Sequence, residues 1–219
     1  MSIIGKAIRT LGIYDKLRNH FVDSLLVPFV ARSQIEIREA RFLGEITRNL
    51  KSNRPIVEIG TLFGRSTRVI AMNMKKKQKL LTVDIFCWNP CGLTNEQHKR
   101  IAKISLADTI EKLNVEIIVV GKNKFYEEYK GPRPEMVFLD ADHSYEATKA
   151  DIDWALSVGA DVICGHDYSD NMPGVVKAVN ESGGIEKLID TLWVLNRNKF
   201  EAKIIEPERG TLQKKNWNF

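Results

Sequence analysis

Short apolar runs recur along the chain, and segments with helical spacing separate most of them. Strands joined by crossover helices are buried on both faces, so each is a continuous apolar run without alternating polar residues. Seven such runs predict a doubly wound, mostly parallel seven-stranded α/β sheet, with the last strand expected to be antiparallel. The runs are Ile56 to Ile59, Leu80 to Ile85, Ile117 to Val120, Met136 to Leu139, Val162 to Cys164, Leu192 to Leu195 and Ala202 to Ile205.

A chain of 219 residues with 43% hydrophobic content suits one substantial core. We expect residues 1–50 to form an N-terminal helical extension and residues 51–219 to form the sheet domain. In the extension, the "SQIE" stretch from Ser33 to Glu36 has the spacing of a capping box before an apolar helical face. The apolar stripes of the first 30 residues indicate helices that pack on the core or on a partner. A homodimer through these helices is one interpretation, and docking on a membrane surface is an alternative.

Charge and cysteine content narrow the class of protein. The net charge of +5 is mixed in sign along the chain and falls short of the clustered basic face that nucleic-acid binding needs. The three cysteines, Cys87, Cys91 and Cys164, are odd in number, and none belongs to a CxxC pair. We therefore expect a reduced, cytoplasmic setting. No apolar run approaches ~18 residues, so no membrane span is expected.

Acidic and polar residues follow the predicted strands where the carboxyl ends of the strands meet. In open parallel sheets, ligands bind beyond this edge. Four of the first five strands deliver an acid there, which predicts the ligand site. The residues at this edge are Glu58 with the turn from Gly60 to Gly64, Asp84, Gly121, Asp140 with Asp142 and His143, and His166 with Asp167.

The turn "GTLFGRS" carries two glycines four residues apart. Such glycines allow a tight turn and let a ligand approach without meeting a Cβ, and Ser66 can cap the next helix or donate to a ligand. The turn lacks the middle glycine of the G-x-G-x-x-G dinucleotide fingerprint, and Glu58 would repel a pyrophosphate. Asp84, by contrast, can accept hydrogen bonds from the two hydroxyls of a ribose. The expected ligand is a nucleoside without phosphates.

The stretch "VEIGTLFGRST" resembles the glycine motif of class I S-adenosylmethionine-dependent methyltransferases, in the E-x-G-x-x-x-G-x-S form of a small O-methyltransferase branch. The stretches "DADHSYE", "GHDY" and "MPGVVKAVN" are similar to the D-G-D-H-S-Y-E, H-D-Y and G-V pattern of a methyltransferase family. The likeness runs from about Pro55 to Glu181. It implies a Rossmann-like methyltransferase fold and methyl transfer from S-adenosylmethionine to a small-molecule acceptor, at a hydroxyl.

The resemblance also implies roles for individual residues. In metal-dependent relatives, the acid matching Asp140 and the pair matching His166 and Asp167 hold a magnesium ion. His166 stands where those relatives usually have an acid, which either weakens the case for a metal site or shifts it from magnesium towards manganese or zinc. The implied cofactor pocket consists of Glu58, Gly60, Thr61, Gly64, Ser66, Asp84, Gly121 and Asp140.

Several roles stay open at this level. The acid matching Asp142 is the proposed base of the family, and His143 is the alternative base unless it caps a helix or bonds a neighbouring acid. His166 is either a ligand or a structural partner of Asp140. Trp88 and Asn89 cover the adenine or shape the acceptor pocket, and a plain packing role is the alternative for Trp88.

Two other functions are weighed against small-molecule methylation. The basic tail "LQKKNWNF" encourages methylation of a nucleic acid or protein. A non-catalytic subunit that binds S-adenosylmethionine is the third hypothesis, although such a subunit would not need Asp140, Asp142 and Asp167 together. The acceptor itself cannot be deduced, because loops set it.

Overall fold

The computed structural model describes residues 35–88 and 92–196. Several expected features lie outside these residues: the helices within residues 1–34 with their proposed dimer contact, the strand from Ala202 to Ile205, the basic tail, Asn89 and Cys91. The division of the chain at residue 50 stays a prediction.

The strands form one seven-stranded sheet in the order β3-β2-β1-β4-β5-β7-β6. Strands β1 to β5 are parallel, and β7 runs antiparallel to both β5 and β6. The doubly wound, mostly parallel α/β sheet is therefore confirmed. The strands are β1 (Ile56–Ile59), β2 (Leu80–Asp84), β3 (Val115–Val119), β4 (Met136–Leu139), β5 (Val162–Gly165), β6 (Ile185–Ile189) and β7 (Leu192–Leu195).

Strand β6 was not expected from the sequence. It is the edge strand, its middle residues Glu186, Lys187 and Leu188 are exposed, and its pairing with β7 is irregular after Ile185. A strand that is solvated along most of its length needs no apolar run, so the pattern that reveals buried strands does not apply to it.

Helices follow most of the strands and cover both faces of the sheet. None of the helices within the described ranges is long and apolar enough to cross a membrane. The helices are α1 (Ile37–Arg48), α2 (Arg65–Asn73), α3 (Asn95–Ser105), α4 (Ala107–Lys112), α5 (Lys122–Glu128), α6 (Tyr145–Ser157) and α7 (Pro173–Glu181).

The start of α1 differs from the expected capping box. Glu36 is the N-cap, and its side chain and that of Glu39 exchange hydrogen bonds with each other's backbone N–H groups. The box therefore lies three residues after the predicted Ser33 to Glu36 stretch. Glutamate has the acceptor oxygen that this position requires, so the "SQIE" spacing pointed to the wrong pair.

Alternate residues of the central strand β4 enter two different cores. Val137 and Leu139 belong to one buried cluster, which includes Ile152 of α6. Met136 and Phe138 belong to the other, which includes Leu43 of α1. Successive side chains of a strand point to opposite faces, so both faces of β4 are buried by helices. This burial fixes the position of β4, and with it the position of Asp140, the residue that follows the strand.

Candidate active site

The turn between β1 and α2 depends on its two glycines for packing. Gly60 has a φ of +101°, and a Cβ there would lie 1.8 Å from the carbonyl oxygen of Asp140. Gly64 has a φ of +88°, and a Cβ there would lie 2.6–2.8 Å from side-chain atoms of Leu106. The sequence interpretation reserved this space for a ligand. In the structure, the nearest atoms are the protein's own, so Gly60 brings the turn against the end of β4.

Asp84 at the end of β2 holds the glycine turn. Its Oδ2 accepts hydrogen bonds from the N–H groups of Thr61 at 2.9 Å and Leu62 at 2.7 Å, and its Oδ1 accepts one from Phe86 at 2.6 Å. The Thr61 hydroxyl is itself hydrogen bonded to Thr82 at 2.6 Å. A carboxylate offers about four acceptor positions. Asp84 can therefore accept one ribose hydroxyl as it stands, and a second hydroxyl requires release of a backbone N–H.

Glu58 on β1 lies fully buried beneath the turn. Burial raises its pKa to about 7, against the lowering effect of the hydroxyls of Ser66, Thr67 and Thr82. Thr67 donates to Oε2 at 2.5 Å, while Oε1 has no partner within the described part of the chain. A buried acceptor without a donor costs about 1–3 kcal/mol. A water or a cationic group that arrives with a ligand would offset this cost, which fits an ammonium-bearing ligand.

The other expected pocket residues take varied positions. Gly64 is the N-cap of α2, so Ser66 lies inside the helix and does not cap it. Gly121 is the N-cap of α5 at the end of β3. Trp88, beyond Asp84, is 62% exposed, so it lies on the surface and not in a core. The packing alternative for Trp88 is therefore not favoured, and its exposed indole is available to a ligand.

His98 on α3 is a site residue that the sequence interpretation missed. It is 1% exposed, and the centroid of its ring lies 4.7 Å from that of Phe63 and 5.1 Å from that of Phe86. Its Nε2 donates to the carbonyl of Leu62 at 3.1 Å. Leu62 has a φ of +46°, so His98 supports a strained residue of the glycine turn. Its spacing to Ile101, on the buried face of α3, was the available signal.

His143 lies between two carboxylates beyond the ends of β4 and β5. Its Nε2 is 3.0 Å from Oδ2 of Asp167 and 3.5 Å from Oδ1 of Asp140. Hydrogen bonds to Asp140 and Asp167 raise the pKa of His143 to about 10, although burial opposes this. The pKa of Asp167 is lowered in turn by His143 and His166. The imidazole is therefore protonated at neutral pH, and of the alternatives weighed for His143 the structure shows the bond to neighbouring acids.

His166 is oriented by a residue from outside the sheet. Its Nε2 lies 3.0 Å from Oε2 of Glu39 on α1, and its Nδ1 lies 3.5 Å from Oδ1 of Asp167. The hypothesis that His166 pairs with Asp140 is wrong, because its contacts are with Glu39, Asp167 and Thr191. Burial lowers the pKa of His166, but Asp167, the field of Asp140 and Glu39 together raise it to about 9.

Asp140, His166 and Asp167 could hold a metal ion. Each offers one ligand atom, and the three atoms lie within 4.8 Å of one another. Two carboxylates and one imidazole suit a cation that accepts nitrogen, such as Mn²⁺, better than Mg²⁺. His143 occupies the space between the same two carboxylates, so a bound cation would compete with its ring.

Asp142 lies on the rim of this cluster. It is exposed, and its Oδ1 accepts a hydrogen bond from the N–H of Ser144 at 2.9 Å. That hydrogen bond lowers the pKa of Asp142, so the carboxylate is ionised across the neutral range. Within the described residues, no direct contact joins Asp142 to Asp140 or Asp167. The structure thus brings Asp140, His143, His166 and Asp167 together and leaves Asp142 facing solvent.

Helix α7 fixes the turn that carries His143. A Cβ on Gly174 would lie 2.6 Å from the carbonyl oxygen of His143 and from the N–H nitrogen of Tyr145. The Tyr145 hydroxyl donates to Glu181 at 2.6 Å, and Lys177 lies over its ring. The glycine of "MPGVVKAVN" is needed because α7 begins against the backbone of this turn.

The pairing of His143 predicts a pH-dependent stability in the presence of a chelator. A folded pKa of about 10 exceeds the ordinary 6.5, so the stabilisation is complete below pH 6.5 and is lost as the pH rises through 10. At pH 6 we expect the free energy of unfolding of wild type to exceed that of His143→Gln by roughly 1–2 kcal/mol. This is less than the whole pKa shift would give, because the ring is partly solvated. Urea unfolding of both proteins from pH 6 to 10 measures this difference, and a constant difference across the range would contradict the pairing.

Comparisons with known proteins bear on this arrangement. A family model described as a methyltransferase domain matches residues 57–168, just over half of the chain. No curated protein matches the chain.

Three solved structures share the fold at low sequence identity. An O-methyltransferase from Bacillus cereus, in complex with S-adenosylhomocysteine, is 19% identical over 76% of this chain and 84% of its own, with a TM-score of 0.55. The O-methyltransferase TomG from Streptomyces achromogenes, in complex with S-adenosylmethionine, is 20% identical over 68% and 69%, with a TM-score of 0.52. A SAM-dependent O-methyltransferase from Thermotoga maritima is 15% identical over 74% and 65%, with a TM-score of 0.53.

Proposed function

Because the chain belongs to the methyltransferase domain family, we propose that it transfers the methyl group of S-adenosylmethionine to a hydroxyl of a small-molecule acceptor. The observation that carries the proposal is that the glycine turn and the cluster of acids and histidines meet at the carboxyl ends of the strands. The glycine turn held by Asp84 lies against the backbone of Asp140, and the side chain of Asp140 belongs to the cluster with His143, His166 and Asp167. A nucleoside site and a proton-handling site are therefore adjacent.

The donor pocket is proposed from the turn and the strand ends. Asp84 accepts a ribose hydroxyl, and Trp88 covers the base. The Oε1 of Glu58, which has no partner within the described residues, is an acceptor on the methionine side of the ligand. The pKa of this carboxyl is about 7, so a cationic group of the ligand would favour its ionised form. The Bacillus cereus and Streptomyces achromogenes structures hold S-adenosylhomocysteine and S-adenosylmethionine, which supports the same donor here.

The acceptor chemistry follows from the groups beyond β4 and β5. Methyl transfer to oxygen breaks the sulfur–methyl bond, forms an oxygen–methyl bond and releases the hydroxyl proton. Asp142 is ionised and solvent-facing, so we assign it the role of proton acceptor. His143 is the alternative base, since it is protonated only while its ring bonds Asp140 and Asp167. The O-methyltransferases among the structures of the same fold support a hydroxyl acceptor. A nucleic-acid or protein acceptor is not favoured.

A divalent cation is part of the proposal at the site formed by Asp140, His166 and Asp167. When bound there, it would supply a positive charge that lowers the pKa of an acceptor hydroxyl. The chain's own residues hold the ligand set in place, through the contact of Glu39 with His166 and the packing of α7 against the turn that carries His143.

The setting of the enzyme completes the proposal. Within the part of the chain that the structure describes, Cys87 and Cys164 form no disulfide, which supports a reducing cytoplasm. Pairing of two copies through the N-terminal helices stays a prediction, and gel filtration with light scattering tests it.

Methyl transfer is tested with labelled S-adenosylmethionine and a broad set of hydroxyl-bearing metabolites. The proposal expects label in at least one small-molecule product, and label in none of the metabolites but in RNA or protein would contradict the acceptor class. Binding of S-adenosylmethionine with no transfer to any acceptor would favour a non-catalytic subunit.

Loss of the Asp84 carboxylate is expected to weaken donor binding. Asp84→Ala removes the ribose acceptor and the group that holds Thr61 and Leu62. One charge-assisted hydrogen bond contributes about 1.5–3 kcal/mol, so we expect a loss of roughly 10- to 100-fold in affinity for S-adenosylhomocysteine. Calorimetry on protein that circular dichroism shows to be folded measures the effect.

Glu116→Ala is the matched control for this substitution. Glu116 is an exposed acid on the adjacent strand β3, paired with Lys79 at 2.6 Å. Its removal should leave the affinity unchanged. Equal affinities of Asp84→Ala and wild type would exclude Asp84 from the donor site.

A further inference from the structure

Glu39 is a buried carboxylate on α1 whose hydrogen bonds are not explained by the helix alone. It is 2% exposed. Its Oε2 accepts the N–H of Glu36 at 2.9 Å, as a helix cap requires. Its Oε1 accepts both the N–H of Thr191 at 2.9 Å and the Thr191 hydroxyl at 2.8 Å, and its Oε2 also lies 3.0 Å from Nε2 of His166. Two of its partners are therefore more than 120 residues away in the sequence.

These contacts define which ring nitrogen of His166 is protonated and donates a hydrogen bond to Glu39 on α1. A carboxylate only accepts hydrogen bonds, so Nε2 of His166 donates to Glu39. The Thr191 hydroxyl donates to Glu39 and is 3.1 Å from the same Nε2, so its oxygen also accepts from the ring. The backbone of His166 is held as well, because Trp193 Nε1 donates to its carbonyl at 3.0 Å. The ring can turn only its Nδ1 towards Asp167.

We propose that Glu39 is a positioning residue that orients His166 so that its Nδ1 is the nitrogen ligand of a cation bound with Asp140 and Asp167. The inference rests on the cation site of the proposed function. A ligating histidine usually donates its other ring N–H to a carboxylate, which fixes the ring and raises its basicity. Glu39 has this position, and it comes from α1 and not from the sheet that carries the ligands.

The test uses Mn²⁺ alone as the probe and measures its affinity by calorimetry. Each Glu39 oxygen accepts one backbone N–H, so in Glu39→Gln the amide nitrogen faces a backbone donor in either orientation. We expect Glu39→Gln to bind Mn²⁺ about 10- to 100-fold more weakly than wild type. Thr191→Val, which keeps the carboxylate and removes the hydroxyl beside Nε2, should show a smaller loss in the same direction.

Glu135→Gln is the control for burial. Glu135 is also 2% exposed and also accepts four hydrogen bonds, from the N–H groups of Lys51 and Ser52, the Ser52 hydroxyl and Gln78. It immediately precedes β4, so it lies at the amino end of the strand, whereas Asp140 lies at the carboxyl end. Glu135→Gln should lower the urea unfolding midpoint as Glu39→Gln does, with the Mn²⁺ affinity of wild type.

The outcomes separate this inference from the proposed function. A Glu39→Gln affinity for Mn²⁺ within twofold of wild type, or an equal loss in Glu135→Gln, overturns the positioning role. Absence of Mn²⁺ binding by wild type overturns both the positioning role and the cation part of the proposed function, while S-adenosylhomocysteine affinity, measured in parallel, reports on donor binding alone. We expect the S-adenosylhomocysteine affinity of Glu39→Gln to equal that of wild type.

Discussion

Replacement of Gly60 by alanine is expected to prevent stable folding. The new Cβ would lie 1.8 Å from the Asp140 carbonyl oxygen, a backbone atom at the end of the central strand β4. A φ of +101° adds backbone strain of about 1–3 kcal/mol for a residue with a side chain. Together, the steric overlap and the backbone strain cost more than the ~4 kcal/mol that marks exceptional substitutions, and the cost approaches the free energy of unfolding of a whole domain. Soluble yield and urea unfolding measure the loss.

Gly184→Ala is the matched control for Gly60→Ala. Gly184 has a φ of +80°, in the same left-handed region, but no atom of the described residues lies within 4 Å of a Cβ built there. Its substitution isolates the backbone cost, about 1–2 kcal/mol. If Gly60→Ala and Gly184→Ala unfold at similar urea concentrations, the close approach of the turn to Asp140 is not a property of the folded protein.

Replacement of Asp142 by asparagine is expected to cut methyl transfer by roughly 10²–10⁴-fold, with donor affinity nearly unchanged. The asparagine keeps an oxygen for the N–H of Ser144, so the turn before α6 persists while the proton acceptor is lost. Single-turnover transfer to an acceptor from the metabolite screen measures the rate. Asp153→Asn, an exposed acid of α6 paired with Lys149, should retain wild-type turnover.

His143→Gln decides whether the proton acceptor is Asp142, as assigned, or the next residue, His143. The structure places the His143 ring between Asp140 and Asp167, where it is protonated, and leaves Asp142 on the rim. If His143→Gln alone shows the large rate loss and Asp142→Asn does not, His143 is the proton acceptor. Full activity of both variants would exclude both residues from proton transfer.

The sequence predicted the central part of the fold well, for a physical reason. Strands β1 and β4 are buried on both faces, so their apolar runs matched the observed bounds Ile56–Ile59 and Met136–Leu139. Strand β6 is solvated along its edge, and "IEKLI" carries no such run. The same periodicity therefore reveals core strands and misses edge strands.

The site residues divide in a similar way. Glu58, Asp84, Asp140, His166 and Asp167 follow from strand ends, which any parallel sheet brings to one edge. Glu39 could not be found in this way, because it lies on a helix before the sheet and meets His166 127 residues later. Pairing with Asp140 was one alternative for His166, whereas the direct contact of its Nε2 in the folded protein is with Glu39. Pairings of this kind depend on how α1 packs, which spacing does not report.

Calorimetric titration of the protein with S-adenosylhomocysteine, in the presence and absence of NAD, tests the central claim most directly. The account predicts binding of one equivalent in the micromolar range, about −8 kcal/mol, with no competition from NAD. A glycine turn without the dinucleotide fingerprint and with Glu58 beneath it has no place for a pyrophosphate. Binding of NAD together with no heat from S-adenosylhomocysteine or S-adenosylmethionine would contradict the account.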